Sequence, residues 1–402
     1  MFWKSPRNTR RIYLDAAAAT PISRAAQKEL VRLLGVYGNP GALHKEAVMA
    51  KAELDRARET VATVIGAHAD EIIFTSGGTE GNNLALSGVI RPLLREGKKV
   101  HTITSVIEHP SVLEPLRALV AEGLALTELP VDEFGLVSPK DVADAMTDDT
   151  VLVSIQMVNS EIGTIEPIHD IAKEIRYRRK ERLQRSDLCK QLYFHCDASQ
   201  APLWVRLAVD KFGVDLLTLD GQKIMGPKGV GALYVRRGVR LEAQSRGGGQ
   251  EKGRRGGTEN APLAASLAVA LSDARSSVEQ HVEHTSAIRD LLLSEIVRLI
   301  PDVQVNGAVG GSRVCNNLNI SVPGLDGEMA VIALDAEGVA ASTRSACDSS
   351  DEKPSHVLVA LGLDASRTKS AIRLTLLPTT TARDASQAAQ KLFEVAQRYR
   401  TK

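Results

Sequence analysis

The sequence predicts an α/β fold, with a mostly parallel seven-stranded sheet flanked by helices and a smaller α/β C-terminal domain. Two observations carry this. From about residue 43 to 235, short apolar runs rich in β-branched residues alternate with stretches of helical periodicity. Such β-α alternation needs crossover connections, and these produce parallel pairing with both faces of the sheet covered. Beyond Gly247 the alternation gives way to a Gly-rich basic loop, long helical patterns and only a few strand-like runs. The large domain is expected to span 16–262, and the small one 1–15 together with 263–402.

The elements follow in order. Leu43 to Ile65 reads as a helix, with Ala47, Ala50, Leu54, Ala57, Val61 and Val64 on one stripe and Gly66 as its stop. Seven strand-like runs come next: Glu71 to Thr75, Lys99 to Thr104, Leu124 to Leu129, Val151 to Ile155, Leu192 to Cys196, Leu216 to Leu219 and Gly231 to Val235. Helical patterns fall between most of them, from Thr79 onward, at Pro110–Glu122, at Pro139–Met146 and at His169–Arg179. No helix separates the last two strands, so an antiparallel edge is expected there. The second half offers helical patterns to Leu299, a strand at Asn317–Val322, a helix from Asp326 to Glu337, an irregular polar segment around Thr343–Pro354, a strand at Ala371–Leu376 and a final helix from Ala382 to Arg398.

Composition removes several function classes. Fifty Lys+Arg against 49 Asp+Glu leave a net charge of +1 over 402 residues, without the basic excess that nucleic acid or an acidic membrane surface would call for. No run approaches the roughly 18 apolar residues of a membrane span. The basic start, Met1 to Arg11, lacks an apolar signal core and reads as an N-terminal arm. Four cysteines, Cys189, Cys196, Cys315 and Cys347, cannot frame a chain of this length with disulfides, which points to a reducing compartment, the cytoplasm. Lys173 to Lys190 holds eight basic residues, Lys173, Arg176, Arg178, Arg179, Lys180, Arg182, Arg185 and Lys190. It reads chiefly as a solvated helix face, with a docking patch for an acidic partner as the alternative.

In open parallel sheets ligands sit beyond the carboxyl ends of the strands, and three strand ends are informative here. Ser76-Gly77-Gly78-Thr79-Glu80 opens a helix whose free N–H groups can hold an anion, though alone it reads better as a capped turn. Asp197 ends an apolar run, where a cationic ring nitrogen would pair with it, although taken by itself it reads first as a cap for the following turn. Lys223 lies between two glycine-containing turns and could form a Schiff base, whereas most lysines are simply surface. The three share one edge of one sheet.

These residues, with Tyr13-Leu14-Asp15 through Thr20-Pro21, Gly38-Asn39-Pro40, Glu80-Gly81-Asn82-Asn83, Glu108-His109, Val158-Asn159-Ser160-Glu161-Ile162-Gly163, Asp197-Ala198-Ser199-Gln200, Gly226-Pro227-Lys228-Gly229 and Ser345-Ala346-Cys347, resemble the cysteine desulfurases. Those are pyridoxal-phosphate (PLP) enzymes of aminotransferase class V, with the fold type I of PLP-dependent transferases. The resemblance runs from Ile12 to about Thr380. It implies that Lys223 holds PLP and moves the substrate Cα proton. Asp197 would pair with the ring nitrogen, His109 would stack on the ring, and Gln200 would reach its hydroxyl. Thr79 and the Gly78 backbone would hold the phosphate, with Gln222 beside them. Thr258 would reach the phosphate of a second subunit, which implies a homodimer. Asn159 and Arg373 would orient the carboxylate of L-cysteine, for which a guanidinium fork suits, a structural ion pair being the alternative for Arg373.

Cys347 sits among Ser345, Asp348, Ser349, Asp351 and Glu352, a polar segment with nothing apolar to bury a thiol. By the resemblance it takes the substrate sulfur as a persulfide, alanine leaves, and the sulfur passes to an acceptor protein such as an iron–sulfur scaffold. Selenocysteine lyase or aminotransferase activity on the same fold, and a weakly catalytic paralogue binding partners through Lys173–Lys190, are the rivals. The chain departs from the family at Gln222, where His is usual, at Asp220, where Ser is frequent, and at Leu377-Pro378, where Gly-Arg is common. Asp220 is assigned no phosphate contact; Lys228 is a candidate to pair with it.

Overall fold

Runs such as Val151-Leu152-Val153 are apolar on both faces, and a strand of that kind is stable only inside a sheet covered on each side. The computed structural model, which describes residues 11–184, 191–343 and 354–400, shows this arrangement. In chain order the elements begin β1 (Ile12–Tyr13), α1 (Arg24–Leu33), α2 (Lys45–Ile65), β2 (Ile72–Thr75), α3 (Gly78–Arg95), β3 (His101–Ser105), α4 (Pro110–Val120), β4 (Ala125–Leu129), α5 (Pro139–Ala145) and β5 (Thr150–Ser154). They continue α6 (Ile168–Gln184), β6 (Tyr193–Asp197), α7 (Val209–Phe212), β7 (Leu216–Asp220), β8 (Gly231–Val235), α8 (Ala261–Leu299), β9 (Gln304–Val305) and β10 (Asn317–Ser321). The last are α9 (Gly327–Ala336), β11 (Val339–Ala340), α10 (His356–Ala360), α11 (Ala365–Lys369), β12 (Ala371–Thr375) and α12 (Ala382–Tyr399). Among the described residues no helix is long and apolar enough to cross a membrane.

Two compact units emerge, one of Thr20–Asn159 with Thr164–Val278, the other of Met1–Ala19, Ser160–Gly163 and Glu279–Lys402. In the first, seven strands pair in the order β2-β8-β7-β6-β5-β3-β4. All pairings are parallel except those of β8, which runs antiparallel to both β7 and β2. The expected antiparallel edge is thus corrected. β8 returns beside β7 after a short turn, and β2 then pairs on its far side, so the antiparallel strand lies inside the sheet and β2 forms the edge. Local chemistry sets the helix ends: Ser138 accepts from Asp141 N to start α5 with Pro139 in the first turn, and Gly66 stops α2 at φ 74°.

The basic stretch divides, one half following the solvated-face reading and the other turning inward. On α6, Arg182 is buried and donates to the carbonyls of Thr147 and Thr150; Arg179 reaches Leu192 O and pairs with Asp215; Arg178 donates to Met146 O. These arginines close carbonyls and a carboxylate at the start of neighbouring strands, while Lys173, Arg176 and Lys180 remain exposed. Arg185 and Lys190 lie outside the described residues.

The second unit packs α9, α12 and the C-terminal part of α8 around β10 and β12, with Leu292, Ile296, Leu318, Ile320, Ile372 and Leu392 in its core. Its sheet runs β12-β10-β9, antiparallel, and β1 pairs with β11 in parallel. Residues Ser160–Gly163 are stitched into this unit: the side chains of Asn317 and Asn319 both donate to Glu161 O at 3.1 Å, and Ser355 Oγ donates to Glu161 Oε2 at 2.6 Å.

The entry of β8 leaves no space for a side chain: a Cβ on Gly231 would stand 2.5 Å from Leu219 O and 2.8 Å from Gly77 Cα. Gly231→Ala is therefore expected to destabilise the protein by about 1–3 kcal/mol. Gly35→Ala, at a position with nothing within 4 Å of the new Cβ, should be neutral or slightly stabilising. Denaturation midpoints of the two variants against the parent check this.

Candidate active site

The turn from β2 into α3 is built by glycines. Gly77 takes φ 150°, a conformation side chains rarely adopt. A Cβ on Gly78 would meet Ser199 Oγ at 2.9 Å and Asp220 Oδ2 at 3.2 Å, and one on Gly81 would meet Thr218 Cγ2 at 2.7 Å. The first turn of α3 thus lies directly on the ends of β6 and β7, and its unbonded amides form an anion-favouring surface there.

At the end of β6, Asp197 is gripped by three donors. Ser199 N and Oγ donate to Oδ1 at 2.9 and 2.6 Å, and Asn82 Nδ2, from the second turn of α3, donates to Oδ2 at 2.8 Å. The expected turn cap is real, since Ser199 N is capped, but Asn82 adds a tie 115 residues away in the chain. Asn82 Nδ2 also donates to Ser111 Oγ at 2.8 Å, and Ser111 Oγ lies 2.7 Å from His109 Nδ1. His109 Nδ1 accepts from Ser111 N at 3.1 Å and caps α4, so the neutral ring carries its proton on Nε2. A continuous path, Asp197–Asn82–Ser111–His109, therefore joins carboxylate and imidazole.

Lys223 closes the 3₁₀ turn Gly221–Lys223 after β7 and is half-buried. The turn is pinned from the chain start: Thr20 N and Oγ1 donate to Gln222 O at 2.8 and 2.9 Å, and Met225 N, at φ 60°, donates to Thr20 Oγ1 at 2.7 Å. Asp220 begins the turn. Its Oδ1 accepts from Gln222 N at 3.1 Å and its Oδ2 from Gln222 Nε2 at 3.3 Å. Lys228, suggested as its partner, is exposed and makes no ion pair with it.

The basic glycine loop before α8 is also tied to this edge. Arg255 pairs with Glu80 at 2.8 Å, and Glu80 accepts from Ser76 N at 2.6 Å. Glu251 and Lys252 hold positive φ of 48° and 59°, a strain kept in place by the partly buried, two-bonded Arg58–Glu251 pair and by Arg58 over the Phe74 ring at 4.8 Å. Thr258 is exposed and Gln200 half-buried; Asn159 is buried and donates to Ile107 O at 3.0 Å.

In the second unit Arg373, on β12, is buried. It pairs with Asp15 at 2.7 Å and donates to Ser160 O at 3.2 Å, while its Nε has no partner among the described residues. Cys347 and Cys189 lie outside the described residues. The two described cysteines are buried; burial pushes the Cys196 thiol far up and that of Cys315 to about 12, so neither is a thiolate near neutrality.

Sequence reading brought Lys223, Asp197, Gly78, Thr79 and His109 to this edge, but it gave no role to Asn82, Ser111, Ser199 or Thr20. A signal existed for Asn82, a polar residue on the buried stripe of α3. Beneath the edge lie further unassigned groups. Burial, reinforced by the Asp197 and Glu166 charges, pushes the Glu108 carboxyl well above the usual range; burial raises Glu166 to about 8 and lowers His195 to about 4. His195 is held by Ser154 and Thr218 at 2.8 and 3.0 Å.

A mostly parallel sheet that presents a lysine, a gripped carboxylate and a glycine-built helix start along one edge has the arrangement of an enzyme active site. The aminotransferase class-V family matches residues 12–387. Cysteine desulfurase IscS of Dictyoglomus turgidum is 40% identical over 395 residues, covering 98% of this chain and 96% of that protein. Among solved structures, a NifS-like protein superposes with a TM-score of 0.88 at 31% identity, over 96% of this chain and 99% of that one. A structure described as SspA in complex with cysteine gives 0.77 at 33%, over 92% and 99%. The chain belongs to the class-V aminotransferase family, among its cysteine desulfurases.

Glu166 accepts from Val137 N at 2.9 Å through one oxygen, while the other, buried, has no partner among the described residues. Its pKa of about 8 lies above the ordinary 4.5, so the folded state keeps a proton that the unfolded chain releases. The resulting stability is fully present below about pH 4.5 and is lost as pH rises through about 8. Glu166→Gln should flatten this alkaline decline, read as a smaller fall in thermal midpoint between about pH 6 and 9 than in the parent.

Proposed function

We propose that this enzyme converts L-cysteine to L-alanine with PLP, leaves the substrate sulfur as a persulfide on Cys347, and works as a cytoplasmic homodimer. The persulfide would serve an acceptor protein, such as an iron–sulfur scaffold, in cluster or thio-cofactor synthesis. The observation that carries the reading is Asp197, held by three donors at one strand end, with Lys223 in a pinned turn after the adjacent strand.

The residues fit the cofactor. The cradle at Gly77–Gly78 admits no Cβ without collision at Gly78, leaving backbone amides and the Thr79 hydroxyl for a phosphate, with the Gln222 amide alongside. Asp197 would pair with the ring nitrogen, Gln200 with the ring hydroxyl, and His109 would lie against the ring face. When bound, PLP supplies the electron sink that allows bonds at the substrate Cα and Cβ to break.

Lys223 would hold the cofactor and move the Cα proton, assisted by His109, whose orientation is set by Ser111. Asn159 and Arg373 are proposed for the substrate carboxylate, and the exposed Thr258 for the phosphate of the second subunit. The Cys347 thiolate attacks the substrate sulfur: the S–S bond forms as the Cβ–S bond breaks, and the electron pair leaves with carbon, which takes up a proton to become the alanine methyl group. Cys196 and Cys315, buried and protonated, are unsuited to this attack, and of the remaining Cys189 and Cys347 the family resemblance favours Cys347.

Lys223→Ala should lose both the visible absorbance of the lysine-bound aldehyde and its fixation by borohydride, together with alanine production. Cys347→Ser should keep the absorbance but lose sulfide release from L-cysteine to background. Unchanged turnover in Cys347→Ser would remove the thiol from the mechanism and favour an aminotransferase.

A further inference from the structure

Asp220 is a carboxylate at the place where an anion is expected. Ideal Cβ atoms on Gly77 and Gly78 would stand 3.7 and 3.2 Å from its Oδ2, so the carboxylate lies against the glycine backbone that opens α3. Its partners are the Gln222 amide groups, and no Lys or Arg among the described residues forms an ion pair with it. The charged groups around it come from three elements. Glu80 on α3 is paired with Arg255; Asp197 at the end of β6 is taken up by Ser199 and Asn82; Lys223 follows in its own turn. The start of β8 brings only Val230 and Gly231, which do not titrate.

This inference rests on the cofactor reading above. A dianionic phosphate in the cradle would meet a second anion at short range, away from bulk water, and two like charges so placed resist joint ionisation. We propose that the cradle takes the cofactor phosphate together with one proton, a phosphate O–H donating to Asp220 Oδ2, with Gln222 orienting the carboxylate. The proton comes from solvent and no covalent bond changes. Binding of the phosphate group is therefore linked to pH: it weakens as pH rises above the second phosphate pKa of about 6. Gln222 suits this arrangement, because its neutral amide donates to the carboxylate without adding charge to the cradle.

The test compares PLP with pyridoxal, which has the same aldehyde but no phosphate, in the full chain stripped of cofactor and reloaded. The ratio of their affinities, read from the visible band between about pH 6 and 9, isolates the phosphate. In the parent this ratio should fall by up to about tenfold per pH unit. In Asp220→Asn, and independently in Asp220→Ser, it should stay nearly flat and exceed the parent value at the alkaline end. Phosphorus NMR of the loaded parent should show the cofactor phosphate titrating above the pKa of the free ester, and that of Asp220→Asn should stay at the dianion position. Equal, flat ratios in parent and variants, with a dianion signal throughout, would overturn the shared proton alone. Failure of both aldehydes to give a visible band with the parent would overturn the cofactor reading, and this inference with it.

Discussion

Helix α3 lies on the ends of β6 and β7 with no side chain of its own at Gly78 or Gly81 to hold it off, and the rest of the site depends on that approach. Gly78 and Gly81 let the backbone come within reach of Ser199, Asp220 and Thr218, and Gly231 lets β8 enter beneath Gly77. Close packing converts small volumes into large constraints, since interiors have few voids to absorb an added methyl group. The same approach brings Asn82 onto Asp197 and Ser111, so one helix supplies both an anion-favouring start and the clamp on the carboxylate. A site placed in this way is rigid where chemistry needs it to be, on strand ends and a helix rather than on loops.

Electrostatics around this edge follow from burial more than from net charge. A chain of near-zero net charge places Glu108, Glu166 and His195 in its interior, and each is driven toward its neutral form, the first two by protonation and the third by proton loss. Neutral groups below the edge leave Asp197 and Asp220 as its principal carboxylates. They differ in their partners. Three donors converge on Asp197, one of them from a separate helix, whereas among the described residues Asp220 is bonded only by the neighbouring Gln222. Two of the three positions read from the sequence as departures from the family pattern, Asp220 and Gln222, thus form a bonded pair.

The arginines of α6 show how composition misleads when read without geometry. A run of positive charge suggests a solvated face or a docking patch, but Arg178, Arg179 and Arg182 turn inward and satisfy strand-start carbonyls and Asp215. The long apolar stem and forked head of arginine allow this, because the stem can cross packed surface while the head finds acceptors.

Hydrophobic periodicity alone determined the α/β class, the seven strands and most helix ends, because those features are local: a two-residue or 3.6-residue repeat and a capping residue are written into short windows. Asp197, Lys223 and the Ser76–Thr79 turn were legible for a related reason, as each marks the point where a strand pattern stops. What only the tertiary structure decided are the meetings of distant segments. These include the place of β8 inside the sheet, the grip of Asn82 on Asp197, the pinning of the lysine turn by Thr20, the pairing of Arg373 with Asp15, and the carboxylate of Asp220 against the glycine start of α3. Such contacts join residues tens to hundreds of positions apart, and no local pattern encodes them, since they exist only once parallel strands have been brought side by side.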